Sequence, residues 1–198
     1  MEDSYQTIDE NIVGEGYYTE KRSKFLAFAH HIDSVEQAKD IVTRYRKRYY
    51  DARHCCYAYV LGPGRETFRA VDDGEPSSTA GKPIMGQIVS HNLTNILLCV
   101  VRYYGGVNLG TGGLIVAYRT AAADALDHCM VVTRLVEEQV AFRFTYAMMN
   151  GVMGIVKDMQ PKIISQTFDN DCEIVLSIRK SMVDELRNRL NNLSFGGC

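Results

Sequence analysis

The sequence predicts an α+β protein of two domains, each an α/β sandwich of sheet and helices, and three observations predict it. Apolar residues switch repeatedly between alternating and helical spacing along the chain. Charges concentrate at Arg134, Glu137 and Glu138, and the shorter elements after them read β-α-β-β-α, close to a half-wound ferredoxin-like sheet. A length of 198 residues holds one large or two small domains. The expected division is residues 1–136 and 137–198.

Residues 1–13 read as a polar lead with little periodicity. Tyr17-Tyr18-Thr19 and Phe25 to Ala29 read as paired strands. Lys21, Arg22 and Lys24 between them form either a solvated turn or part of a basic rim. Ser34 to Gln37 has capping-box spacing, and Ala38, Ile41, Val42, Tyr45 and Tyr49 then recur on one helical face. The other face is basic: Lys39 to Arg53 holds six basic and two acidic residues. It fits a solvated face and a phosphate-facing one equally.

His54 to Leu61 and Thr67 to Val71 read as a hairpin about Gly62-Pro63-Gly64. A first turn at Ser77 to Thr79 and a short helix over 83–92 precede the most apolar strand, Asn95 to Tyr103, which is expected at the sheet centre. Leu114 to Met130 reads as a helix whose Ala121-Ala122-Ala123 run permits close packing. Beyond the charged break, Ala141 to Tyr146 is a strand and Met149 to Met159 a helix. Ile163 to Phe168 and Cys172 to Ile178 are strands joined by an Asp169-Asn170-Asp171 turn, and Ser181 to Leu193 is the last helix. This second part is neutral, with seven basic and seven acidic residues from Glu138 on, so it does not read as a charged clamp.

A net charge of −2 argues against polyanion binding by the whole surface but leaves room for a local basic face. No run approaches membrane-spanning length, and the polar, acidic start does not read as a signal peptide, so a cytoplasmic protein without a membrane role is expected. Six cysteines without a CxxC pair read as reduced thiols, and neither His54-Cys55-Cys56 nor His128-Cys129 is a chelate, because strand neighbours point to opposite faces. No metal and no cofactor are expected.

The chemistry concentrates in residues 72–119. Asp72, Asp73 and Glu75 open the stretch; they fit a turn that caps the next helix, a hard-cation site, or a general base. Gly74 to Lys82 reads G-x6-G-K-P, the wrong spacing for a P-loop, and Gly105 to Thr111 has threonine where the phosphate-binding lysine belongs. Neither an ATPase nor a dinucleotide enzyme is supported. Five of the nine residues from Gly105 to Gly113 are glycine, so backbone freedom or close approach is required there. The segment lies between an apolar strand and a helix start, where free N–H groups can hold an anion. Arg102 with Tyr103 and Tyr104 either grips and stacks on nucleic acid, or pairs with a nearby carboxylate while one tyrosine packs inward.

The blocks DDGEPSSTAGKPI and VVRYYGGVNLGTGGLIVAYRTAA, with SKFLAFAHHI and HCCYAYVLG upstream, resemble the signature of the YigZ/IMPACT family. The resemblance runs from Gly14 to Leu135, and more weakly over the ferredoxin-like tail of the bacterial short form. Ser78 departs from it, standing where the pattern has glycine. The resemblance implies a first domain like the second domain of a small-subunit ribosomal protein and domain IV of elongation factor G. It implies a second like that factor's domain V. It also implies a ribosome- or RNA-related role in translation; the stress-kinase pathway of the eukaryotic relatives is not carried over to a short form.

The leading expectation is therefore a non-enzymatic RNA- or ribosome-binding protein that regulates translation. Gly105, Gly106, Gly110, Thr111, Gly112 and Gly113 would meet phosphate. Lys82, Arg102 and Arg119 would supply charge, and Tyr103 or Tyr104 a stacking face. One alternative is an enzyme acting on a small anionic substrate, a nucleotide or peptide, through Asp73, Glu75 and Ser77, with Thr79 and Lys82 nearby. The other is a protein-interaction module with a partner in translation.

Overall fold

The computed structural model describes residues 3–169 and 172–195; residues 170 and 171 of the expected turn, and Cys198, lie outside them. The chain divides into two compact units. One runs from Tyr5 to Arg134, and the other takes the described residues from Leu135 on together with Asp3 and Ser4.

The first unit is built on a five-stranded antiparallel sheet. Its order is β2 (Gly14–Glu20), β3 (Ser23–His31), β6 (Ile96–Tyr103), β4 (His54–Leu61), β5 (Thr67–Val71). The continuous apolar run of β6 puts it at the centre, because both of its faces are covered. Ile96, Leu98 and Val100 join one core with α2 (Gly81–Ser90) and α3 (Gly110–Asp127). Leu97, Cys99 and Val101 join another with α1 (Val35–Arg48).

The α1 cap forms as its spacing predicts: Ser34 Oγ accepts the Gln37 N–H at 3.2 Å, and Gln37 Oε1 accepts from the Asp33 N–H at 2.7 Å. Ala38, Ile41, Val42 and Tyr45 face the sheet. Phe28 stacks on Tyr45 with ring centroids 4.4 Å apart.

Three local expectations are corrected. The N-terminal lead contains a strand, β1 (Ser4–Ile8), which pairs with β7 (Val131–Leu135) and buries Thr7 and Ile8. Its partner lies far along the chain, so no local pattern announces it. Ser77 to Thr79 is a non-helical turn, and α2 begins at Gly81. Its first N–H groups are capped from a distance: Asp72 Oδ1 accepts from Ala80 N–H at 3.0 Å and Gly81 N–H at 2.8 Å. Finally, α3 begins at Gly110 rather than Leu114, so Gly110, Gly112 and Gly113 are its first turn and not a loop.

The second unit holds a three-stranded antiparallel sheet, ordered β8 (Glu137–Phe144), β10 (Cys172–Arg179), β9 (Lys162–Phe168). With α4 (Met149–Met159) and α5 (Val183–Phe195) it follows the β-α-β-β-α order. Strand β8 starts earlier than Ala141 because β10 pairs it as far as Glu137. Val140, Ile174, Leu176, Val152, Leu186 and Leu190 form its core. Among the described residues no helix is long and apolar enough to cross a membrane.

Candidate functional site

The site begins at the end of β6. Alternation assigns Arg102 to the face of Ile96, Leu98 and Val100, where the next side chain should be apolar. Arg102 is only 5% exposed, and its cross-strand neighbours are Phe25 on β3 and His54 on β4. Its guanidinium lies 5.5 Å from the Phe25 ring centroid and 5.6 Å from that of Tyr104.

A charge buried there needs a partner, and Glu75 supplies it. Glu75 Oε1 accepts from Arg102 Nη1 at 2.6 Å and from the Tyr118 hydroxyl at 2.8 Å. Tyr118 is fully buried on α3, and burial pushes its hydroxyl far above the ordinary range, so it stays a donor. Cys56 Sγ lies 3.3 Å from that hydroxyl and 2.9 Å from the Asp72 carbonyl; burial raises this thiol too. Arg102 Nε is buried without a hydrogen-bond partner among the described residues. Arg102 pairs with a carboxylate, as one of its two expected roles has it.

The acidic turn divides its labour. Asp72 caps α2 and also accepts from Ser78 N–H at 2.9 Å. Asp73 accepts from Arg46 Nη2 at 2.6 Å and from the Cys55 N–H at 2.7 Å, so both carboxylate oxygens are held in the scaffold. The Asp73 carbonyl accepts from His54 Nδ1 at 2.7 Å. A carbonyl can only accept, so Nδ1 carries the proton, and Nε2 is the nitrogen turned to Glu75 Oε1, 3.7 Å away.

Above this floor lies a pocket of about 530 Å³. His54, Glu75, Arg102 and Leu114 line its base; Arg53, Tyr104, Asn108 and Thr111 line its mouth. The start of α3 forms one wall through Leu109, Gly110 and Thr111, and no side chain among the described residues caps that helix. Its first N–H groups and dipole therefore add positive potential. Gly105 makes the bend before it possible: a Cβ there would sit 2.2 Å from the Arg22 carbonyl carbon.

The pocket gathers Arg102, Tyr104, Gly110 and Thr111 from the expected phosphate-binding set, and Glu75 from the expected catalytic set. Lys82 is exposed on α2 and Arg119 on α3, neither of them in the lining. Tyr103 faces the α1 side and donates to Asp51 at 2.9 Å. Ser77 is exposed outside the pocket, and Thr79 donates to the Pro76 carbonyl at 2.6 Å. Gly106, Gly112 and Gly113 shape the chain without lining the cavity. Sequence reasoning missed Arg53, His54 and Asn108. Both strands were recognised, but the β4–β6 pairing that sets His54 beside Arg102 is fixed only by the fold.

A family model described as the Impact N-terminal domain matches residues 21–126, which include this pocket. An IMPACT family member of Haemophilus influenzae is 31% identical over 180 residues, covering 89% of this chain and 86% of the relative. The IMPACT family member YigZ of Escherichia coli is 33% identical over 178 residues, covering 89% and 87%. A crystal structure described as that of an hypothetical protein matches 100% of this chain and 96% of its own, with 30% identity and a TM-score of 0.78.

Proposed function

The chain belongs to the IMPACT family, and from that premise we propose that it is a non-enzymatic RNA- or ribosome-binding protein that acts in regulating translation in the cytoplasm. One observation carries the reading. A single pocket mouth joins Arg53, the half-exposed Tyr104 ring and the uncapped start of α3 above the buried Arg102. Cation, aromatic face and helix dipole are what a nucleotide's phosphate and base require. Lys82 and Arg119 contribute outer charge on the same unit.

The test is ribosome co-sedimentation from lysate at low and moderate salt, with and without ribonuclease. It is joined to titration of a short single-stranded RNA into purified protein. Binding should weaken linearly with the logarithm of salt, and Arg53→Ala should reduce the slope by about 0.7 per lost phosphate contact. A protein that stays at the top of the gradient in every condition and ignores the RNA sinks the proposal.

A further inference from the structure

Resting on that RNA reading, we infer that the pocket takes the phosphorylated end of an RNA strand, a nucleotide bearing a phosphomonoester, and not an internal stretch of backbone. Shape is the first argument. At about 530 Å³ the cavity falls within the roughly 300–1,000 Å³ typical of single small ligands. Glu75, Arg102 and Leu114 close its base, and all three are buried. A strand passing through needs an entrance and an exit, whereas a strand end needs only an entrance.

Charge is the second argument. A phosphodiester carries one negative charge, and a phosphomonoester about −1.5 to −2 near neutrality, with three terminal oxygens. The pocket sets Arg53 and Arg102 against Glu75, and adds the positive end of α3. Glu75 does not repel an anion as a free carboxylate would, because Oε1 already holds Arg102 and the Tyr118 hydroxyl. Arg102 lines the cavity, and Glu75 does not satisfy its whole guanidinium: Nε is buried without a hydrogen-bond partner among the described residues. Multiple oxygens on one phosphorus suit a site that offers N–H donors from a helix start and a guanidinium together. Tyr104 at the mouth, its hydroxyl 3.2 Å from Asn108 Oδ1, is placed to meet the terminal base.

The test compares one short single-stranded RNA in four forms: 5′-phosphorylated, 3′-phosphorylated, hydroxyl at both ends, and circularised. The matching nucleoside monophosphate is a fifth ligand. One phosphorylated end should bind about tenfold or more tighter than the hydroxyl-ended and circular forms. Two variants report on the site. Arg53→Ala removes a cation from the mouth. Thr111→Asp places a carboxylate in the first turn of α3 at an exposed residue that lines the pocket, so the helix keeps its dipole-compatible charge while the anion is repelled. Both should erase the preference for the phosphorylated end with unchanged circular dichroism. Equal binding of all four RNAs overturns the inference and leaves the RNA reading standing. Binding of the monophosphate without any RNA, or of none of the five, overturns both.

Discussion

The two faces of the five-stranded sheet are made by the same strands, yet they end differently. On the α1 face the β6 row Leu97, Cys99, Val101 is covered by helix and aromatic rings, and it finishes in Tyr103, whose hydroxyl reaches Asp51 at 2.9 Å. On the α2/α3 face the row Ile96, Leu98, Val100 finishes in Arg102, a charge buried against Glu75. The first ending is good packing. The second is a poor way to stabilise a fold, since removing two ions from water costs about as much as their attraction returns. The pocket lies on the face that carries this pair.

The largest expected effect breaks this comparison at its root. Glu75→Ala leaves Arg102 and Tyr118 without their shared acceptor and should cost about 3–5 kcal/mol in urea unfolding. A trim on the other face, Ile41→Val, should cost about 1 kcal/mol. If Glu75→Ala costs no more than Ile41→Val, the buried pair does not distinguish the faces. The triple variant Glu75→Leu, Arg102→Met and Tyr118→Phe removes every member of the buried cluster and sharpens the point. It should be neutral or up to about 1–4 kcal/mol more stable than wild type, while RNA affinity falls. A triple variant as unstable as Glu75→Ala would mean the cluster is structural after all.

The α1 face has its own titratable group. His30 Nε2 lies 2.6 Å from the Tyr45 hydroxyl, and burial, helped by the nearby Arg44, lowers its pKa from the ordinary 6.5 to about 4. Below pH 6.5 the unfolded chain binds a proton here that the folded chain refuses. Its contribution to stability is therefore complete above pH 6.5, and it is lost as pH falls through that value towards 4. Denaturant unfolding across this window should show wild type losing its advantage over His30→Gln as pH falls. A constant difference between the two proteins would show that His30 titrates alike in both states.

Much of this architecture was legible in the residues. The apolar run of β6 announced the centre, the Ser34–Gln37 spacing announced α1, and the β-α-β-β-α order announced the second sheet. What escaped was carried by contacts distant in sequence. β1 is a strand only because β7 pairs with it, and α2 takes its cap from Asp72, beyond the reach of a capping-box rule. The glycine-rich segment marked the right neighbourhood, but glycine in a helix's first turn and glycine in a loop look the same in one dimension. The pocket's chemistry needed register: His54, Glu75 and Arg102 lie on three segments, and only the fold of β4 against β6 joins them. Lys82 and Arg119, read as part of the site, are exposed outside its lining.

The smallest expected effect concerns the scaffold beneath the pocket face. Ser78 stands where the resemblance implies glycine, and its φ is +64°, in the left-handed region where a Cβ costs about 1–2 kcal/mol. The turn persists because Ser78 N–H reaches Asp72, the same carboxylate that caps α2. Ser78→Gly keeps that hydrogen bond and removes the Cβ, but it adds about 0.4–1 kcal/mol of unfolded-chain entropy. The net gain should be about 0.5 kcal/mol, read as a small rise in Tm, with RNA affinity unchanged because Ser78 is outside the pocket lining. A loss of stability would mean that the serine hydroxyl contributes to this turn. Altered RNA affinity would tie the α2 cap to the pocket, and the division between a scaffold built from Asp72 and Asp73 and a site built on Glu75 and Arg102 would fail.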